Sequence, residues 1–214
     1  MILGVLIALL VVSYILTFLS IYFGSKNFKY RTKTPFSFLN VFPCEFNITE
    51  KFTDNFYGNI FAIVSSLISI AFFCSYPSTF EGIYLVIFVF GVLTSIFNIM
   101  VDVTYLKSLK QHILFVSAQA TANLMLVIIF LYAQVVKIYQ NQLYLSFIPL
   151  IIAALNLIGL VFISIKSKLN FNLATEDVNG KYERKKIYWI VVFEWANKFS
   201  LGIIMLLMII SLVI

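Results

Sequence analysis

The sequence predicts an all-α, polytopic membrane protein, a bundle of six transmembrane helices that forms one domain over residues 1–214. Three observations carry this. The 214 residues are 62% hydrophobic and only 11% charged, with a mean hydropathy of +1.00, more apolar surface than a soluble core can hide. Six apolar runs reach about 20 residues, the length that crosses ~30 Å of hydrocarbon at ~1.5 Å per residue. None of the six alternates apolar and polar residues as a barrel strand must, so strands are not expected.

The expected spans are residues 2–23, 57–76, 80–101, 113–136, 143–165 and 187–214. No basic residue precedes the first and no small-residue cleavage pattern follows it, so it reads as a retained anchor rather than a removed leader. The second carries Asn59 and Ser66 behind Asn55. The third carries Thr94, Ser95, Asn98 and Asp102 as it nears its end. The fourth opens at His112 and places Gln119 and Asn123 seven and eleven residues on, along one face. The fifth holds Asn156 with Pro149 and Gly159, which fit a kink and close packing. The sixth holds Glu194, Asn197 and Lys198. The two longest connections, 24–56 and 166–186, are too short to bury a core of their own.

Charge gives an orientation. The connections between spans 1 and 2, 3 and 4, and 5 and 6 share one face of the membrane. They hold Lys26, Lys29, Arg31, Lys33, Lys51, Lys107, Lys110, Lys166, Lys168, Lys181, Arg184, Lys185 and Lys186, thirteen of the fifteen basic residues. The opposite face has only Lys137, and Lys198 lies within a span. Basic residues near span ends stay in the cytoplasm, which puts both termini outside. The net charge of +6 is then mainly an orientation signal. Nucleic-acid binding is a poor reading, because no basic, aromatic-interleaved soluble module exists. The Lys26–Lys33 and Arg184–Lys186 clusters also suit contact with anionic lipid. Asn47-Ile48-Thr49 is a glycosylation sequon that a cytoplasmic first loop leaves unmodified.

Cys44 and Cys74 fall at opposite ends of the second span, about 30 Å apart, too far to bridge. Two cysteines and one histidine give no zinc-ligand spacing, and no phosphate-binding loop is present, so no metal or other cofactor is expected.

The polar residues within the spans are the candidate site. Glu194 and Lys198 are one helical turn apart in the favourable acid-first order and can neutralise each other. A lone charge at that depth costs on the order of 3 kcal/mol on insertion scales. With Asn59, Asn98, Gln119 and Asn197 they predict a polar interior shared by spans 2, 3, 4 and 6 toward the basic-loop face. Such a layer either binds a ligand or pins helices together through hydrogen bonds, the commoner use of membrane amides. His112 reads as an interfacial residue or a proton carrier, and Asp102 as a helix-end residue or its partner.

Six spans, the proline-bearing stretch NVFPCEFN at residues 40–47, Asn59, His112 and Glu194-Trp195 together resemble the DRAM, Frag and Sfk family of six-span membrane proteins. The resemblance implies roles in lipid homeostasis, autophagy or membrane trafficking at endolysosomal, Golgi or plasma membranes, with both termini in the cytoplasm. CEFN is also similar to the first-loop CExN of alkaline ceramidases, but the histidines those zinc hydrolases need are absent.

Three functions compete. The leading expectation is a non-enzymatic protein that binds membrane lipids or other membrane proteins through its polar-lined bundle. The alternatives are a small proton-coupled transporter relaying through Glu194, Lys198, Asp102 and His112, and a lipid acyltransferase or hydrolase with His112 and Asp102 as acid and base.

Overall fold

The computed structural model describes every residue except 1, 48–51, 78, 80–81, 105–108, 142–146, 168–174, 179–180 and 185. Six α-helices follow in order: α1 Ile2–Thr32, α2 Phe56–Ser75, α3 Gly82–Val103, α4 Leu109–Asn141, α5 Phe147–Ser167 and α6 Trp189–Val213. All six are long and apolar enough to cross a membrane, and the protein is an integral, multipass membrane protein. The apolar runs therefore locate the helices, but two of them extend well beyond. At ~1.5 Å per residue the 31 residues of α1 and 33 of α4 exceed the hydrocarbon thickness. On α1 the excess carries the polar, basic stretch that ends at Arg31. The helix stops at Lys33, whose φ of 59° is the left-handed conformation of a helix C-terminus and whose N–H returns to the Lys29 carbonyl at 3.0 Å.

Neighbouring helices in sequence pack side by side, α1 on α2, α2 on α3, α3 on α4 and α5 on α6, while α6 also touches α1, α3 and α4. Enclosure follows from this arrangement. Half of the apolar window of α6 is buried, 50%, against 17% for α1 and for α5. The outer faces of α1 and α5 present Val11, Ile15 and Phe18, and Ile151, Leu155, Ile158 and Phe162, as lipid-facing helices do. The core beneath comprises Phe72, Phe73, Ile87, Leu126, Phe130, Ile204, Met205 and Met208. Close approach is needed at Gly91, where a Cβ would lie 2.5 Å from the Phe73 ring, and at Gly24, where it would lie 2.3 Å from that of Phe46.

The connections are more structured than the sequence predicts. The segment before α6 contains an antiparallel hairpin, β1 Thr175–Val178 with β2 Lys181–Arg184, registered Thr175 to Arg184 and Val178 to Lys181. The sequence predicts no strand there, because TEDV and KYER are polar and lack an apolar alternation. The first connection holds two short 3-10 turns, Pro43–Phe46 and Phe52–Asn55. The first is organised locally: Pro43 occupies its first position, and the Glu45 carboxylate accepts the Phe42 N–H at 2.8 Å.

That turn forms a plug over one end of the bundle. Val41, Phe46, Trp195, Tyr188 and Val191 share a buried cluster with Ile21 and Phe28 of α1. Phe36 and Phe38 meet Trp195 edge-on, with ring centroids 5.9 and 5.0 Å away. Two hydrogen bonds fix the plug to the start of α6. The Trp195 indole N–H donates to the Val41 carbonyl at 2.9 Å, and the Tyr188 N–H to the Leu39 carbonyl at 2.7 Å.

Both cysteines are free, Cys44 buried in the plug and Cys74 exposed at the end of α2. Burial pushes the Cys44 thiol well above the usual thiol range, and the carboxylates of Glu194 and Glu45 push it further. An acid whose pKa is raised stays protonated to higher pH, so Cys44 remains a neutral, unreactive thiol through pH 8–9. Maleimide labelling of the folded protein at pH 8 should therefore modify Cys74 at least an order of magnitude faster than Cys44, with Cys44 reacting once the chain is unfolded. Equal rates in the folded protein would mean that the plug is not seated.

Candidate functional site: a buried polar layer beneath the first loop

Under the plug, α3, α4 and α6 bring most of the candidate residues into one layer. Glu194 is five residues into α6 and Lys198 one turn further, about 7 and 13 Å along the axis at 1.5 Å per residue. The two do not pair with each other. His112 Nε2 of α4 lies 3.3 Å from both Glu194 oxygens, and Lys198 Nζ donates to Asp102 of α3 at 2.6 Å. The expected pairing within one helix is replaced by two pairings across helices. Pairs that join separate spans satisfy the charge and also fix helix against helix, which an i,i+4 pair cannot do.

All four groups are enclosed. The side chains of His112 and Glu194 are 4% and 2% exposed, and those of Lys198 and Asp102 11% and 8%. His112 is thus a buried partner of an acid, and Asp102 the counter-ion of a lysine. The Lys198 ammonium also lies 5.7 Å from the centroid of the Trp195 ring, and Phe42 meets the His112 ring edge-on at 6.2 Å. His112 and Asp102, the acid and base of the hydrolase or acyltransferase alternative, are each engaged elsewhere rather than with one another.

Amide pairs continue the layer. The Gln119 amide of α4 donates to Asn98 Oδ1 of α3. Asn123 Nδ2 donates to Asn197 Oδ1 of α6 at 3.0 Å, and Asn197 Nδ2 to its own Phe193 carbonyl at 2.9 Å. From the plug, Asn47 Nδ2 reaches the Asp102 carbonyl at 2.5 Å. Asn59 is buried one helix away on α2, where it accepts from Asn55 Nδ2 at 3.3 Å. The loop stretch NVFPCEFN, His112 and Glu194-Trp195 meet here through the contacts of Phe42 with His112, His112 with Glu194, and Val41 with Trp195.

The layer is incomplete in itself. Asn47 Oδ1, His112 Nδ1, Gln119 Oε1 and Asn123 Oδ1 are buried with no hydrogen-bond partner. An unmatched buried polar atom costs about 1–3 kcal/mol. A polar guest or water beside any of these atoms would supply the missing partner.

Sequence reasoning missed the part played by α1. Ser13 and Thr17 face α2, where Ser13 Oγ lies 3.2 Å from Ser65 Oγ and 3.0 Å from Ser69 Oγ, and Thr17 Oγ1 lies 2.7 Å from Ser65 Oγ. These hydroxyls line a narrow cavity of about 40 Å³ that also reaches Asn98, Asp102 and Lys198. The signal was the four-residue spacing of Ser13 with Thr17 and of Ser65 with Ser69, which aligns each pair on one helix face. Among the described residues, no group of three or more His, Cys, Asp and Glu side chains is placed to hold a metal ion. No family model, curated protein or solved structure matches this chain.

Removing one member of a buried pair strands the other. Lys198→Met should destabilise the protein by about 3–5 kcal/mol, whereas Asp102→Asn with Lys198→Met should recover most of that loss. Thermal unfolding in detergent, followed by loss of the monodisperse gel-filtration peak, measures both. Additive losses in the double variant would mean that the two groups are not partners.

Proposed function

We propose that this is a non-enzymatic multipass membrane protein of lipid homeostasis, which receives the hydrogen-bond-donating headgroup of a membrane lipid in the layer around His112, Gln119 and Asn123. One observation carries this reading: the side-chain oxygens of Asn47, Gln119 and Asn123 are buried in the polar layer without protein donors, in the part of the bundle that the sequence turns toward the basic-loop face. Hydroxyl or amine hydrogens of a headgroup would satisfy them, and Glu194 and Asn197 lie beside them. The resemblance to the DRAM, Frag and Sfk family supports the same class of role, in lipid balance, autophagy or trafficking at endolysosomal, Golgi or plasma membranes.

Lipid extraction from the purified protein, read by mass spectrometry, tests it. Wild type should carry one polar-headed lipid at near-stoichiometric amount. Gln119→Ala with Asn123→Ala should lose it while remaining monodisperse. Protein that carries no lipid, or a variant that keeps the same lipid, would overturn the reading.

A second reading, a proton-coupled carrier, draws on the cavity that leads from Ser13, Thr17 and Ser65 to Asp102 and Lys198. Hydroxyls both donate and accept, so a hydrated row of them can pass a proton to the buried acids. Proteoliposomes should then take up protons at a rate that falls with Glu194→Gln and with Asp102→Asn. Uptake no faster than in protein-free liposomes rules it out.

A further inference from the structure

A second recess lies outside the bundle interior, where the end of α1 meets the 3-10 turn that leads into α2. Its volume of about 370 Å³ falls in the range of small-ligand pockets, about 300–1,000 Å³. Phe23, Lys26 and Tyr30 line it from α1, and Asp54, Phe56 and Tyr57 from the other side. We propose that this recess binds the phosphate-bearing headgroup of an anionic phospholipid, with Lys26 as its cation.

The level of the recess in the membrane follows from chain length. About 20 residues of α1 cross the hydrocarbon, so Phe23–Tyr30 emerge on the basic-loop side, and Phe56 and Tyr57 begin the apolar run of α2. Aromatic rings mark that boundary. Phe23 packs on Tyr57 and on Phe61 with centroids 5.6 Å apart in each case, and Tyr22 meets Phe23 at 5.3 Å. At this depth phospholipid headgroups surround the protein. The recess is open to them, and Val64 of α2, seven residues on from Tyr57, is exposed to take an acyl chain.

Charge selects the headgroup. Arg31 is committed to Asp54, 3.4 Å from its carboxylate, and to Asn27 Oδ1 at 3.0 Å, so that pair contributes no net charge. Lys26 has no carboxylate partner among the described residues and rests over the Tyr22 ring at 5.9 Å. Lys33 similarly lies 4.9 Å from the ring centroid of Tyr30. Lys26, the lysine that lines the recess, thus gives it a positive charge, with Lys33 nearby on the same helix, which complements a phosphodiester carried on a net-negative lipid.

Native mass spectrometry of the detergent-purified protein tests the site, with short-chain phosphatidylserine, short-chain phosphatidylcholine and inorganic phosphate as separate probes. Phosphatidylserine should bind in preference to the other two, and Lys26→Glu should weaken it about tenfold or more, since the change removes one positive charge and adds a negative one. Lys26 is exposed, so the variant should keep the wild-type melting temperature. Lys26→Glu should leave the lipid that copurifies with the interior layer unchanged, which separates the two sites. Equal binding of phosphatidylcholine, phosphate binding as tight as the lipid's, or phosphatidylserine binding untouched by Lys26→Glu would each overturn the proposal.

Discussion

Two pairings that cross between helices, Glu194 with His112 and Lys198 with Asp102, are the contacts on which the interior of this protein depends. Hydrocarbon does not hydrate charge, so an acid and a base on α6 must each find a partner before that helix can occupy the centre of the bundle. The partners come from α4 and α3, and those helices are thereby drawn onto the same side of α6. An apolar α6 would pack against its neighbours with little to set its rotation, because lipid tails are as apolar as leucine. Here the rotation is set by charge, and the amide pairs of Asn98 with Gln119 and Asn123 with Asn197 link α3 to α4 and α4 to α6 in the same layer.

The plug formed by the first loop follows from the same constraint. A carboxylate taken out of water near a helix start must have a partner, and the loop covers this one with aromatic rings and with Glu45, whose carboxylate is held by the Phe42 N–H. Trp195 faces outward from the ion pairs toward this cover, and its indole bond to Val41 ties cover and helix together. Phe42 reaches down onto His112, so the cover touches the chemistry it encloses.

The number and order of the six helices were legible in the sequence, because length and apolarity alone decide what crosses a bilayer, but the polar extensions of α1 to Thr32 and of α4 to Asn141 lie beyond the apolar runs. The residues of the polar layer were legible too, since each is a polar exception in an apolar run. Their pairing was not. Glu194 and Lys198 share a helix face, and sequence spacing favours joining them, but spacing carries no information about what other helices offer. Asp102 and His112 stand at span ends, where a sequence reading cannot separate a capping residue from a buried counter-ion. The hydroxyls of Ser13 and Thr17 were overlooked because serine and threonine are common in membrane helices, and only the facing Ser65 and Ser69 make them a row. The hairpin of residues 175–184 was hidden for another reason: its strands are polar and stand outside the spans.

The most direct test of this account is the distance between the Lys198 ammonium and its partner carboxylate. Solid-state NMR on the protein in lipid bilayers, with nitrogen-labelled lysine and side-chain-carbon-labelled aspartate, detects a dipolar coupling only for a directly contacting pair. The account predicts a strong Lys–Asp coupling that disappears in Asp102→Asn, and no lysine coupling to labelled glutamate that depends on Glu194. A Lys198 signal coupled to Glu194 instead would contradict it, because the ion pair would then lie within one helix and nothing would bind α6 to α3.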